Sequence, residues 1–260
     1  MVTKNAIKYV RSLSVKKFRD AEQSFVAEGP KTVTDLLSLL PCRQLYATPH
    51  FLQDLPAAVL QPVGQIHEVT PGDIERLSLL RAPREAVAVF ERPSWSNVPG
   101  AALAHLPAAE LCLALDGVQD PGNVGTMVRL ADWFGITHLF ASPDTADVFA
   151  PKVVQATMGS VGRVQVHYLD LPGFLRRLPA DVPVYGTFLD GRNLYAQNLQ
   201  PHGVLVMGNE GRGISPSVAQ LTNRRLYIPN YPPGRATGES LNVAVATAIV
   251  CAAFRQEAFR

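Results

Sequence analysis

No apolar run in this sequence approaches the ~20 residues that a membrane-spanning helix needs. The longest, Val243 to Phe254, is rich in alanine and suits a packed helix. The N-terminus lacks the apolar core of a signal peptide. Cysteine is scarce: Cys42, Cys112 and Cys251 are odd in number, far apart, and without metal-ligand spacing, so no metal site is expected. Cys112 and Cys251 lie in apolar runs and read as buried small hydrophobes, and a reduced cytoplasm is the expected setting. There is no membrane signal, no internal repeat and no low-complexity tract. A G-x-x-x-x-G-K-[ST] phosphate loop is missing, and so is a G-x-G-x-x-G dinucleotide fingerprint. Charge is nearly balanced at +2, so the average says little about partners.

What is present describes a globular chain. Hydrophobic residues make up 47% and charged residues 18%, enough to bury a real core and too apolar for disorder. A length of 260 residues allows one or two domains. Residues 1–19 hold Lys4, Lys8, Arg11, Lys16, Lys17 and Arg19 and no acid, either a phosphate-facing surface or a solvated helix face. The spacing predicts a helix over Thr3 to Leu13, a basic connection, and a strand over Ser24 to Glu28. A helix opened by Pro30 follows, with Val33, Leu36, Leu37 and Leu40 as its stripe. Further strands are expected at Leu45 to Thr48, Ile66 to Val69 and Ala86 to Phe90. Thr70, Pro71 and Asp73 form a capping box for a helix running to about Leu80. Residues 1–92 thus read as a small α/β domain. Prolines 93, 99 and 107 mark residues 93–109 as a linker.

Residues 110–260 read as a second α/β domain with a mostly parallel sheet. Strands are expected at the apolar run from Leu111, then at His138 to Ala141, Val164 to His167, Val184 to Phe188, Val204 to Met207 and Leu226 to Ile228. Helices are expected at Pro151 to Met158, Pro172 to Leu178, Ser215 to Leu221 and from about Ser240 to Phe259.

Three stretches in this half have the composition of a site. In the first, the run from Leu111 ends in a turn, Asp120-Pro121-Gly122-Asn123, that opens a helix. Asp120 suits the N-cap and Gly135 the C-terminal stop. Gly122, Gly125, Arg129 and Asp132 fall along one stripe, so two glycines would leave a groove beside a cation at a helix start. That is either a place for a phosphate or ribose, or ordinary helix-start chemistry with Arg129 paired to Asp132. In the second, a strand meets Gly208-Asn209-Glu210-Gly211-Arg212-Gly213, a turn that lets backbone approach a ligand closely or merely connects two elements. In the third, Ile228 and Pro229 end a strand, a Pro/Gly loop crosses, and Ser240-Leu241-Asn242 opens the last helix. Ser240 there is either an N-cap or the edge of a ligand. No Ser-His-Asp order is convincing, because no histidine lies near these segments. All three stretches lie where strand gives way to loop and helix, the usual place for ligands in open α/β sheets.

Together, DPGNVGTMVRLADWFG (120–135), GNEGRGIS (208–215) and IP…ESLNVAVATAI (228–249) resemble the three motifs of the SpoU-type RNA 2′-O-ribose methyltransferases of the SPOUT superfamily. APKVVQATMGS (150–160) also resembles the family. KKFRDAEQSFVAEGPKTVTDLL (16–37) and VTPGDIERLSLLRAPREAVAVF (69–90) look like the substrate-binding domain, similar to small ribosomal RNA-binding proteins, that precedes the catalytic domain in many members. The resemblance implies a C-terminal domain with a deep trefoil knot that binds S-adenosylmethionine and forms a homodimer. It implies methylation of a ribose 2′-hydroxyl, with ribosomal RNA as the expected substrate. Transfer RNA, a resistance-type ribosomal site, and a non-catalytic assembly role are the alternatives. By analogy Met207, Gly208, Asn209, Gly211, Ile228, Pro229, Ser240, Leu241 and Asn242 line the cofactor. Arg129, Asn123 and Glu210 stand near the reacting centre. Ser240 or Asn242 holds the target nucleotide, and the basic residues 4–19 add backbone contacts to RNA. Two departures are visible: residues 230–238 make the loop before the third motif longer than usual, and Gly162-Arg163-Val164 stands where members often carry an aromatic and a proline.

Overall fold

A computed structural model describes residues 2–232, 235, 236, 238 and 240–256. In chain order the first half runs α1 (Lys4–Ser12), α2 (Lys16–Glu22), β1 (Ser24–Glu28), α3 (Pro30–Leu37), β2 (Cys42–Ala47), α4 (Pro49–Gln53), α5 (Ala57–Leu60), β3 (Gln65–Glu68), α6 (Pro71–Leu77) and β4 (Ala86–Glu91). The second half runs α7 (Gly100–Leu103), β5 (Leu111–Asp116), α8 (Pro121–Trp133), β6 (His138–Ala141), α9 (Pro151–Thr157), β7 (Gln165–Tyr168), α10 (Leu171–Leu175), β8 (Val184–Asn193), β9 (Gly203–Gly208), α11 (Pro216–Ala219), β10 (Arg224–Tyr227) and α12 (Val243–Arg255). Among the described residues no helix is long and apolar enough to cross a membrane.

These elements form two compact units. The first holds the residues up to Ser94 and also takes in Asp147–Arg163 from the middle of the chain; the second holds the rest. In the first unit the sheet order is β1-β4-β2-β3. β4 is antiparallel to both of its neighbours, and β2 and β3 run parallel. The Thr70–Asp73 capping box is present, with both reciprocal bonds made. The borrowed segment completes this unit's core. α9 packs on β1, and Phe149 lies against Phe25 with ring centroids 5.0 Å apart. Gly159 and Gly162 press so closely on α3 that a Cβ would stand 2.8 Å from Asp35 and 2.9 Å from Leu36.

The stretch expected to be a basic connection contains a second helix, α2. Its N-cap, Val15, supplies no side-chain acceptor, which is why the local sequence hides it. What holds it is Arg19, 2% exposed. That side chain donates to the Leu13 and Ser14 carbonyls and pairs with Asp147 at 2.7 Å.

The second unit is one all-parallel sheet of order β10-β8-β9-β5-β6-β7. Every residue of β5 and β9 is buried. Each large apolar side chain there contributes roughly 1.5–3 kcal/mol relative to exposure, so the loops leaving these strands start from fixed points. The chain leaves β5 toward β6 and leaves β9 toward β10, on opposite sides. The carboxyl ends of these neighbours therefore flank the crevice where such sheets bind ligands.

Candidate active site

β5 ends at Asp116, which pairs in register with Gly208 at the end of β9. Asp116 is 8% exposed, and its carboxylate accepts from the Ser215 backbone N–H at 2.6 Å. It therefore holds the far end of the loop that follows β9. That loop folds back on itself: Asn209 and Gly213 exchange backbone hydrogen bonds, each 2.9 Å. A Cβ on Gly208 would lie 2.3 Å from the backbone of Gly213 and Ile214. Glycine at 208 thus lets the chain approach itself, where the sequence suggested approach to a ligand. Gly213 takes the positive φ of 69° that closes the turn.

The side chain of Asn209 is spent inside this structure. Its amide donates to the Gly117 carbonyl at 2.6 Å, and its oxygen accepts from the Gly211 and Arg212 N–H groups, each at 3.0 Å. Met207 is buried, with its sulfur 3.9 Å from the Thr187 hydroxyl.

On the other bank, Asp120 caps α8 by accepting from Asn123 N–H at 2.8 Å, and Gly135 follows the helix with a φ of 63°. Asn123 then joins all three motif stretches. Its Nδ2 donates to Glu210 Oε1 at 3.0 Å, and its Oδ1 accepts from Asn242 Nδ2 at 3.0 Å. Asn242 in turn caps α12 by accepting from Ala244 and Val245 N–H. Ser240 is exposed and does not cap that helix; the helix begins only at Val243, and Asn242 is the residue whose oxygen faces its first turn. The stretch 257–259 of the expected helix lies outside the described residues.

Glu210 also receives the Gln119 and Asp120 N–H groups at 3.4 and 3.3 Å. Partial burial acts to raise its carboxyl. The bonds from Asn123 and from backbone N–H groups outweigh this and hold it below the ordinary carboxylate range. The group is therefore an anion at neutral pH and accepts only.

Of the other expected site residues, Gly211, Ser240 and Leu241 are exposed, and Ile228 and Pro229 are half-buried. Arg129 is exposed on α8, and among the described residues no ion pair or hydrogen bond joins it to another residue. Gly125 is buried, because α12 packs along α8; the glycine stripe is not an open groove along its length. Lys4, Lys8, Arg11, Lys16 and Lys17 are exposed on α1 and α2, with Lys16 paired to Asp20. Arg19 does not belong to that surface, since burial and the Asp147 pair consume it.

Asp116 was not among the residues singled out from the sequence. The signal was there: an acid closing an otherwise apolar strand just before a glycine turn. A separate cavity of about 840 Å³, lined by Tyr185, Arg192, His202, Arg224 and Arg225 among others, opens near the edge strands and touches none of these loops.

The accessible set pairs apolar groups (Ile228, Pro229, Leu241) with exposed backbone at Gly211 and the Ser240 hydroxyl. That combination fits a ligand with a flat apolar part and a polar tail, as S-adenosylmethionine is. Arg129 on the adjoining bank offers a cation to an anionic partner.

Comparison with known proteins finds two family matches. Residues 110–252 match the SpoU rRNA Methylase family, and residues 4–88 match the MRM3-like substrate binding domain. The chain is 32% identical over 251 residues to the Bacillus subtilis 23S rRNA (guanosine(2553)-2'-O)-methyltransferase RlmP, covering 94% of this chain and 93% of that one. A TrmH-family structure from Porphyromonas gingivalis is similar with a TM-score of 0.86 at 43% identity, over 99% of both chains. The AdoMet-bound structure of an rRNA methyltransferase from Sinorhizobium meliloti is similar with a TM-score of 0.84 at 32% identity, over 99% of this chain and 96% of that one.

Proposed function

Because the chain belongs to the SpoU rRNA methylase family, we propose that it methylates a ribose 2′-hydroxyl of ribosomal RNA with S-adenosylmethionine. One observation carries the reading: Glu210, Asn123 and Asn242 join the loops after β5 and β9 to the start of α12, and Arg129, farther along α8, is exposed.

When bound, S-adenosylmethionine supplies an electrophilic methyl group on a sulfonium. Gly211, Ile228, Pro229, Ser240 and Leu241 would hold it, with the backbone of Met207, Gly208 and Asn209. A guanidinium is a poor proton acceptor, so Arg129 is not assigned the role of base. Its role is to orient an RNA phosphate and to favour the ionised form of the ribose hydroxyl by its charge. Asn123, Glu210 and Asn242 act through one another as positioning residues, since most of their hydrogen-bonding capacity is already used. Ser240 is the exposed hydroxyl left to touch the nucleotide or the cofactor.

In this reading α1 and α2 present Lys4, Lys8, Arg11, Lys16 and Lys17 to RNA phosphates. The chain acts in the cytoplasm, in keeping with its three free, buried cysteines. A second copy covers the catalytic unit: Trp133 on α8 is 82% exposed and Val245 on α12 is 50% exposed, which supports a homodimer through these helices. The path from β9 past β8 to β10 and back to Asn123 through Asn242 supports a knotted C-terminal chain.

The test is transfer of labelled methyl from S-adenosylmethionine to unmodified ribosomal RNA, with mapping of the modified ribose. Arg129→Ala is expected to lose about a hundredfold or more in turnover while cofactor affinity and thermal stability stay near wild type. Cofactor binding without incorporation into any RNA would reduce the protein to a binding factor, and unchanged turnover in the variant would remove Arg129 from the mechanism.

A further inference from the structure

Between β10 and α12 several described residues are bonded to one another. Tyr227 donates its hydroxyl to Asn230 Oδ1 at 3.4 Å, and Asn230 Nδ2 donates to the Arg235 carbonyl at 2.9 Å. The Arg235 N–H donates to the Pro232 carbonyl at 3.2 Å. Pro229 and Pro232 restrict the backbone further. The turn leaves β10 at the carboxyl edge of the sheet, and its far end leads to Asn242, which is bonded to Asn123. The two largest side chains of this stretch are exposed. Tyr231 is 87% exposed, and Arg235, four residues on, is exposed as well.

An aromatic ring left in water is a poor contributor to folding. A ring and a guanidinium on one turn match what a single-stranded nucleotide offers, a base face and a phosphate. We propose that Tyr231 stacks on an unpaired base of the RNA near the methylated nucleotide while Arg235 contacts its phosphate, making this turn a determinant of which RNA is accepted. The assignment rests on the methyltransferase reading of the same site. It makes Tyr231 a substrate-contacting residue and not a cover for the cofactor.

The test uses the full-length protein with in vitro transcribed, unmodified large-subunit ribosomal RNA. Tyr231→Ala should raise the KM for RNA roughly tenfold, leaving kcat and S-adenosylmethionine affinity unchanged; Tyr231→Phe should restore the wild-type KM. Arg235→Ala should weaken RNA binding and reduce its salt dependence by about one phosphate contact. An unchanged KM in Tyr231→Ala, or a fall in cofactor affinity instead, would overturn the proposal. RNA affinity is measured in parallel by filter binding. If wild-type protein binds RNA without methylating it and Tyr231→Ala binds more weakly, the stacking contact stands and the methyl-transfer reading falls.

Discussion

The two ends of an asparagine amide are alike in shape and opposite in hydrogen-bonding sense, and at Asn123 the neighbours choose between them. Ionised Glu210 can only accept, so the amide nitrogen of Asn123 faces it and the oxygen faces Asn242. The nitrogen of Asn242 must then donate, and its oxygen turns to the first N–H groups of α12. A single negative charge thus sets the sense of every bond in the chain. Glu210→Gln keeps one acceptor oxygen but turns the other position into a donor, which must then face either Asn123 Nδ2 or the Gln119 N–H. Because Glu210 is exposed, the unfolding free energy should change by less than about 1 kcal/mol. Methyl transfer should fall about tenfold, because positioning and not folding is lost. The carboxyl lies below its ordinary 4.5 in the fold, so its contribution is present above that pH and lost as pH falls through the lowered value. Denaturation followed between about pH 3 and pH 7 should show a shallower acid limb in Glu210→Gln than in wild type.

At the scale of elements, local chemistry foretold much. The capping box of α6, the Asp120 cap of α8 and the glycine stop at 135 are all where their residue types place them. α2 was hidden because its stabilising residue, Arg19, acts through Asp147, distant in sequence. The start of α12 was misplaced because Ser240 and Asn242 are both good caps, and only the distant bond to Asn123 selects one. The three site loops were legible from glycines at strand ends. Their convergence was not, since strand order has no local signature. A feature that the sequence did not suggest joins β6 to β7: His138 Nδ1 lies 3.2 Å from His167 Nε2, with Glu110 3.4 Å from the far side of His138. Burial, followed by the charge of His138, pushes His167 down to about 4. Burial likewise lowers His138, against the pull of Glu110 and with the push of His105. The unfolded chain takes up protons at its ordinary 6.5 while the folded chain refuses them, so stability should fall as pH drops from 6.5 to about 4 and flatten below. The loss should be on the order of 3 kcal/mol, read as a falling thermal midpoint. His167→Phe should flatten that slope in the same measurement.

At the scale of the whole molecule, residues 147–163 lie within the stretch matched by the methylase family and yet belong to the first compact unit. Phe149, Val153, Val154 and Val161 are buried there. A fragment spanning residues 95–260 would carry these side chains without the strand and helix that cover them. It should be poorly soluble or bind an apolar dye strongly, whereas the full chain should not. Dye fluorescence of the two purified proteins compares them directly, and a soluble, dye-silent fragment would show that the segment can refold onto its own half. The same interleaving has a consequence in time. A growing chain usually completes its domains from the N-terminus onward. Here the first sheet is finished early, but the piece that closes its core emerges only after β5, α8 and β6 have been made. At about 5–20 residues per second, the leading unit waits several seconds with one apolar face open. During synthesis it is this waiting face, and not the catalytic crevice, that a chaperone would be expected to meet first.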